Sequence, residues 1–584
     1  MKKLVIPIVI ILAVALGAWA VTRYVITRPS AFEAEISSLF PLPGSIVYVE
    51  SEGLQEQIDP VKDAMLWQQL AGLDLWKTKD VLKLKAELEG ALAAAGLSLA
   101  DVNYDNMMEL FGRRFAVGFY GINREAKQPL LLLATELAPK ARLAALLARP
   151  SGADWVCYER GGGKVYRSTV HPLLISERDG VLIAATDEGL MHSALDLLAG
   201  KADAPTSLEA TLAELRAKVD LDGQTVRYID TGALLKMFMP EMENAAEAPG
   251  ADVNSYLGMM AAGVGPSLTV VKATPDYKEW KAVSVLPESP GPLLEAIRRQ
   301  PRQLRVADAL PAEADLASAI ALPIGEYIET MLAFVDPASK AQIDAALTEM
   351  EEATGLNLER DILGWMGDEV AFVLGEAPAG SLIPVPSYGM CLLASDPEAA
   401  AALFARLESL VKDRIAAEFA AGAANAPPGA PMPKMPEIFV DRQHGGITSR
   451  ALAIPNVPLV LEYAVAGDFV MLGWGKAFDG MLLALNGQTP RLSSTEAWQQ
   501  LAARVPGSKL NAFTYVDVGA ICRLGAMALS MVPDDAAAGR GQTLLASLPE
   551  LIAILGSATD WMAGASYVED GLFYEVGLAK LNLF

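Results

Sequence analysis

The chain has 584 residues, of which 52% are hydrophobic and 20% are charged, and its formal net charge is −24. This length predicts about two to four domains, and the composition excludes an intrinsically disordered chain. The negative charge disfavours binding to nucleic acid, and it disfavours attachment to an anionic membrane through a basic surface.

The N-terminal segment is predicted to be a transmembrane anchor. Lys2 and Lys3 precede an apolar run over residues 4–21. A helix of that length spans roughly 27 Å, close to the thickness of a bilayer core. Trp19 and Tyr24 suit the aromatic belt at the end of a membrane helix. We therefore expect residues 1–30 to tether an extracytoplasmic body to the membrane.

A cleaved signal peptide is the alternative for the same segment. Ala18-Trp19-Ala20 has the small-x-small pattern of a cleavage site. The apolar run is longer than the usual core of a signal peptide, which favours the anchor. Both alternatives export the body if the N-terminus stays inside.

The chain contains an internal repeat. Tyr228-Ile229-Asp230-Thr231-Gly232-Ala233 recurs as Tyr515-Val516-Asp517-Val518-Gly519-Ala520, 287 residues later. The same offset relates Gly180 to Gly467 and Gly200 to Gly487. A fixed offset of this kind predicts two tandem copies of one folding unit. The copies are assigned to residues 31–290 and 309–584, with a Pro-rich and then basic linker over 291–308.

Hairpins and mixed helices predict an α+β fold with largely antiparallel sheets. Apolar runs at 155–159 and 165–169 flank a Gly-rich turn, and runs at 438–440 and 447–450 flank another. The second copy has an insertion at 416–436, which predicts a lengthened helix end and an Ala/Pro-rich loop.

Helix caps explain most of the repeated polar positions. Asp230 and Asp517 follow predicted strands where an N-cap would open a helix, although a pair of catalytic carboxylates is the functional alternative. Tyr228 and Tyr515 are expected to pack inward, and Gly232 and Gly519 to allow close approach of the backbone. Two further pairs, Thr206 with Glu209 and Ser493 with Glu496, are predicted to be capping boxes.

Opposite charges stand at one matched position of the two copies. Gly112 aligns with Gly367, so Arg113-Arg114 in the first copy faces Asp368-Glu369 in the second. A solvent-exposed turn before a strand is the simpler explanation. The sharper hypothesis is that these opposite pairs meet across the interface between the copies.

No catalytic, cofactor-binding or metal-binding motif is found. The three histidines, His171, His192 and His444, have no counterpart in the other copy, and no metal-ligand or nucleophile spacing surrounds them. The three cysteines, Cys157, Cys391 and Cys522, are expected to be buried and free, with a Cys157–Cys391 bridge as the alternative.

A segment of the second copy resembles bacterial domain-of-unknown-function family 3352. The segment runs Gly355-Leu356-Asn357-Leu358-Glu359-Arg360-Asp361-Ile362-Leu363-Gly364-Trp365-Met366-Gly367-Asp368-Glu369-Val370-Ala371. The first copy departs from the pattern at Arg113-Arg114 and at Leu110, where the family has Asp-Glu and Trp. The resemblance implies an envelope location and no assigned reaction.

These observations favour a single-pass protein of the bacterial inner membrane, with its body on the periplasmic side and a non-catalytic binding or scaffold role. An envelope protein or a lipid is the expected partner besides the membrane. The alternative is a carrier or sensor of apolar ligands, because methionines gather late in each copy, for example Met237, Met239 and Met527. A hydrolase that uses scattered carboxylates is the second alternative.

Overall fold

The computed structural model describes residues 32–59, 69, 113–137, 155–237, 265–286, 302–377, 385–424, 437–454, 460–530 and 552–582, apart from positions 33, 43, 127, 171, 334, 336, 553 and 555. The predicted anchor and Gly112 lie outside these residues. Among the described residues, no helix combines the length and the apolar character needed to cross a bilayer.

Strands make up most of the described chain. In the first half they are β1 Pro41–Leu42, β2 Val47–Glu52, β3 Arg114–Asn123, β4 Gln128–Glu136, β5 Trp155–Arg160, β6 Gly163–Ser168, β7 Leu174–Arg178, β8 Val181–Ala185, β9 Thr206–Ser207, β10 Thr225–Asp230, β11 Pro266–Ala273 and β12 Tyr277–Val285. In the second half they are β13 Leu316–Ile320, β14 Met366–Gly375, β15 Ser387–Ala394, β16 Phe439–His444, β17 Ile447–Leu452, β18 Leu461–Ala466, β19 Phe469–Trp474, β20 Ala512–Asp517, β21 Thr559–Glu569 and β22 Leu572–Leu581.

The described chain also contains α-helices, most of which pack against the strands. They are α1 Leu54–Ile58, α2 Glu188–Leu198, α3 Glu209–Arg216, α4 Ile324–Ala333, α5 Pro337–Thr354, α6 Pro397–Ala424, α7 Gly475–Leu485, α8 Glu496–Ala502 and α9 Val518–Ser530. Short 3-10 turns at Ile36–Leu39 and Arg305–Ala309 precede the two halves of the sheet. The fold is therefore mixed α+β, as the sequence predicts.

The described strands, apart from the β1–β9 pair, form one antiparallel sheet of twenty strands. Its spatial order is β5-β6-β7-β8-β4-β3-β2-β10-β11-β12-β22-β21-β20-β13-β14-β15-β19-β18-β17-β16. The two halves meet where β12 pairs with β22, from Tyr277 opposite Lys580 to Val285 opposite Leu572. Counted outward from this seam, the strands of the two halves stand in the same order relative to their order along the chain.

Paired glycines shape the hairpins at both ends of the sheet. Gly161 and Gly162 join β5 to β6 with φ of +59° and +81°, and Gly445 and Gly446 join β16 to β17 with φ of +61° and +103°. Two successive positive φ values make a type I′ turn, whose twist matches that of the flanking strands. Both hairpins expected from the sequence therefore form, with strands slightly longer than expected.

A continuous apolar core lies against one side of the sheet in both halves. Tyr48 and Leu132 in the first half and Phe478 and Leu578 in the second belong to the same buried cluster. A second cluster around Trp365 lies on the opposite side, under α4 and α6. The two layers of helix in the second half place side chains over both sides of β17 and β18.

Three sequence-based predictions of local structure are corrected. The linker ends before 308, because Val306 is fully buried and Arg302 bridges to Leu510. Thr206 lies in β9, and the N-cap of α3 is Leu208 without a side-chain hydrogen bond. Thr495, rather than Ser493, caps α8 by accepting from the Trp498 N–H. The 416–436 insertion is helical as far as Ala424, and the rest of it lies outside the described residues.

Candidate functional site

The outer strands of the second half, β16 to β18, carry the most concentrated polar chemistry. Successive residues of a strand point to opposite sides of a sheet. Arg450 therefore projects toward α6, whereas its neighbour Ser449 projects toward α7. Each side holds a separate buried polar group, and the two are described in turn.

Toward α6, an ion pair lines a cleft of about 450 Å³. Arg450 donates from Nε to Glu408 Oε1 and from Nη2 to Glu408 Oε2, both at 2.8 Å. Tyr463 also donates its hydroxyl hydrogen to Glu408, and Lys412 Nζ lies 3.2 Å from Glu408 Oε2. Arg450 reaches a second carboxylate, that of Asp441, at 2.8 Å.

This arrangement keeps Glu408 ionised. The hydrogen bonds from Arg450 lower the pKa of Glu408 to about 2, against the opposing effect of burial. A general acid near neutral pH needs a raised pKa instead. Because the donors around Glu408 are already engaged with it, the cleft has the chemistry of a structural ion pair rather than of a hydrolytic site.

Toward α7, His444 lies between two carboxylates. Its Nδ1 is 3.2 Å from Asp479 Oδ1, and its Nε2 is 3.3 Å from Glu462 Oε2. Ser449 Oγ lies 3.0 Å from Nε2 and donates to Glu462 Oε2 at 2.8 Å. Arg442 holds the other oxygen of Glu462 at 2.7 Å. Burial raises the pKa of Asp479, and the positive charge of His444 opposes this effect.

The order Ser449, His444, Asp479 is that of a hydrolytic triad, but its geometry does not fit acyl transfer. Ser449 is fully buried, so a substrate carbonyl has no access to its hydroxyl. Its proton is directed to Glu462 rather than to His444. The Glu462 carboxylate would also repel the oxyanion that acyl transfer develops. The cluster is better suited to holding a cation.

The repeated aspartates are helix caps, far apart in the sheet. Asp230 Oδ1 accepts from the Ala233 N–H at 2.8 Å, and Asp517 Oδ1 accepts from the Ala520 N–H at 2.7 Å. Four strands separate β10 from β20, which corresponds to roughly 24 Å along the sheet. The alternative of paired catalytic carboxylates is therefore not supported.

The other repeated positions are structural in the described chain. Tyr228 is buried and Tyr515 is half-buried. A Cβ on Gly367 would lie 2.7 Å from the Leu393 carbonyl oxygen, so this position needs the small residue. Gly232 and Gly519 each lie in the first turn of the helix that the preceding aspartate caps.

The opposite charges at 113–114 and 368–369 do not meet, which corrects the inter-copy hypothesis. Arg113 and Arg114 both bind Glu136 in their own half, at 3.0 and 2.9 Å. Asp368 binds Arg302, and Glu369 accepts from the Val306 N–H at 3.1 Å. Eight strands separate β3 from β14, roughly 40 Å along the sheet, so a direct contact is impossible.

The expected burial of the cysteines holds for Cys391 but not for Cys157. Cys391 in β15 is fully buried, and burial raises the pKa of its thiol. Cys157 is exposed on β5, and Cys522 is half-buried. All three are free, and the alternative bridge between Cys157 and Cys391 is absent among the described residues.

Two strands form the open ends of the described sheet. Within the described residues, β5 pairs only with β6, and β16 pairs only with β17. The second residue of each strand is an exposed valine, Val156 with 52% and Val440 with 40% of its surface accessible. Both edges therefore offer unpaired backbone groups next to an apolar side chain.

Residues 296–420 match the family described as protein of unknown function, DUF3352. This match confirms the resemblance that the 355–371 motif indicates. No curated protein matches the chain. Similar solved structures include crystal forms III, I and IV of TP0453, which are 12%, 12% and 13% identical. In the same order, the alignments cover 44%, 44% and 46% of this chain and 82%, 81% and 83% of the TP0453 chain. The TM-scores are 0.23, 0.22 and 0.22.

Proposed function

We propose that the chain is a membrane-anchored envelope scaffold that binds other proteins through the two ends of its sheet and performs no catalysis. The observation that carries this proposal is the continuous sheet, whose outermost strands β5 and β16 each pair on one side only among the described residues. Twenty strands span roughly 90 Å along the sheet. A platform of this kind holds two partners apart at a set spacing.

A tandem duplication is part of the proposal, with copies over 31–290 and 309–584. Its support is the shared order of ten strands in each half. The strand registers support it too. Strand β10, which carries Tyr228 and Asp230, lies between β2 and β11. Strand β20, which carries Tyr515 and Asp517, lies in the same register between the equivalent strands β13 and β21. The antiparallel seam of β12 and β22 would then lie on a local twofold axis.

An extended segment of an envelope protein is the proposed occupant of each edge. Strand addition uses main-chain hydrogen bonds for affinity and alternate side chains for specificity. Val156 and Val440 would provide the apolar contacts, and Glu159 and Asp441 the charged ones. The two valines occupy equivalent positions, because each is the second residue of the first strand of its hairpin. This equivalence supports a common binding mode.

Site-specific photo-crosslinking tests the edges. A photoreactive residue at position 156 or 440 of the full chain is expected to give discrete protein adducts in intact cells. Met562, which is 40% exposed but lies on the interior strand β21, is the matched control and should give none. If the adduct is a second copy of the chain, the edges serve self-assembly and the proposed binding of another protein is refuted. Identical patterns at 156, 440 and 562 would refute edge binding.

The tether is proposed to be the uncleaved helix over residues 4–21, with the body in the periplasm. The full chain is then expected to stay with membranes after alkaline carbonate washing, and protease should digest its body only after the outer membrane is opened. Deletion of residues 1–30 behind an exported leader should release it. If the mass of the mature protein shows that it starts after Ala20, the segment is a cleaved signal peptide and the anchor is refuted.

No specific observation favours the carrier of apolar ligands. In the described part of the chain, a strand ladder joins the halves, rather than an apolar cavity between them. The cleft under α6 is lined by small apolar side chains and by charged groups that bind one another. The scaffold therefore remains the proposal that the geometry supports best.

A further inference from the structure

The polar cluster around His444 brings one imidazole and two carboxylates together in the second half. His444 Nε2 lies 3.3 Å from Glu462 Oε2, and His444 Nδ1 lies 3.2 Å from Asp479 Oδ1. Ser449 donates to the same oxygen of Glu462 at 2.8 Å. Glu462 is only 2% exposed, so its carboxylate is buried among these groups.

The fold itself does not require this cluster, because other residue types occupy the equivalent positions in the first half. His444 and Arg160 are each the last residue before a paired-glycine turn. Counting from those turns, Val165 stands where Ser449 stands. Leu174, opposite Arg167, stands where Glu462 stands opposite Ala451. Val165 and Leu174 are as buried as the polar pair.

A buried carboxylate and hydroxyl therefore replace a valine and a leucine in one half alone. Burying a carboxylate is unfavourable unless a cation or hydrogen bonds compensate it. Arg442 compensates one oxygen of Glu462. The other oxygen points to the imidazole and not to a second cationic side chain of the described chain. The second half therefore places a buried carboxylate beside an imidazole where the first half has apolar side chains.

We propose that His444, Glu462 and Asp479 bind one divalent transition-metal ion of the zinc class. Their donor atoms lie within 4.8 Å of one another. Imidazole nitrogen with carboxylate oxygen suits zinc-like ions, whereas magnesium and calcium prefer oxygen donors alone. The ion takes one ring nitrogen of His444, and its charge compensates the buried Glu462 carboxylate.

The surroundings hold these donors in place. Ser449 and Arg442 fix the orientation of Glu462 by hydrogen bonds, as the outer partners of metal ligands do. Asn486 and Gln488 both donate to the Gly445 carbonyl oxygen, which fastens the hairpin turn to the end of α7. Asp479 is 44% exposed and gives the ion a path from solvent. The bound ion would thus link edge strand β16 to α7.

Equilibrium dialysis of the purified full chain against Zn²⁺ alone tests the site. We expect one bound zinc per chain and a melting temperature that rises with zinc and falls back with EDTA. His444→Ala and Glu462→Gln should abolish stoichiometric binding. Asp479→Asn, at a more exposed position, should weaken it at least tenfold while the fold is retained.

His192→Ala is the matched control, because His192 lies on α2 of the first half and contacts Tyr158 and Glu188 instead. It should bind zinc as the unchanged chain does. No stoichiometric zinc on the unchanged chain, or binding that survives both Asp479→Asn and His444→Ala, overturns the proposal. Retained folding of Asp479→Asn, checked by circular dichroism, excludes misfolding as the cause of its loss.

Discussion

Replacing Glu408 with glutamine is expected to lower the free energy of unfolding by about 3 kcal/mol at neutral pH. The change removes the charge that Arg450 binds through two hydrogen bonds. It leaves that partly buried guanidinium with Asp441 as its one remaining counter-ion among the described residues. Chemical denaturation of the two proteins, followed by circular dichroism, measures the difference. The cost is large because desolvated partners lose more when one is removed than exposed partners do.

Glu418→Gln on the same helix is the control. Glu418 pairs with Arg414 four residues earlier, but both side chains are mostly exposed. Exposed pairs of this kind contribute little, about 0.3–0.5 kcal/mol. Equal losses in the two variants would show that the buried pair under α6 does not stabilise the fold.

The effect of Glu408→Gln should also depend on pH. The folded-state pKa of Glu408 is about 2, below the value of roughly 4.3 expected in the unfolded chain. A carboxylate with a depressed folded-state pKa contributes stability that is complete above its unfolded pKa and is lost as the pH falls through its folded pKa. The difference between the two proteins should therefore be constant from about pH 5 to 8 and shrink between about pH 4 and 2. A difference at pH 2.5 that equals the one at pH 7 would contradict this assignment.

Local pattern was enough to predict the hairpins and the caps of Asp230 and Asp517. Paired glycines and a capping aspartate act within a few residues of the chain, so sequence alone specifies them. The capping boxes failed for a related reason. Thr206 can hydrogen-bond locally, but pairing with β1 takes its backbone into a strand instead.

The buried polar groups escaped prediction because their partners are distant in sequence. Glu408 meets Arg450 and Tyr463, 42 and 55 residues later, only through the register of β17 and β18 against α6. His444, Glu462 and Asp479 come from two strands and a helix, with none of the short spacings of metal motifs. The one available indication was a charged residue, Glu462, inside an otherwise apolar strand.

The opposite charges at 113–114 and 368–369 are explained by ion pairs and hydrogen bonds within each half, rather than by a contact between the halves. In the first half Arg114 lies 3.7 Å from Glu35, just before the 3-10 turn. In the second half the charges are exchanged: Asp368 pairs with Arg302, and Glu369 accepts from the Val306 N–H in the matching turn. Each half therefore keeps a local pair of opposite charges, and the exchange needs no contact across the seam.

Gly577→Ala is expected to lower the free energy of unfolding by about 2–3 kcal/mol through the seam between the halves. Gly577 in β22 pairs directly with Trp280 in β12, and the indole ring lies over the glycine. A Cβ at this position would overlap the ring, which must then leave the sheet surface and its hydrogen bond to Glu575. An aromatic side chain over a cross-strand glycine is a known way to stabilise such a position.

Gly564→Ala is the matched control for this prediction. Gly564 is the cross-strand partner of Gly577 in β21, yet a Cβ there would meet its nearest atom at 3.9 Å, an ordinary contact. It should change stability by no more than about 0.5 kcal/mol. The double-mutant cycle with Trp280→Ala isolates the overlap, because removing the ring should make Gly577→Ala nearly neutral. If Gly577→Ala costs the same with and without the ring, the indole does not hold the two halves together at this seam.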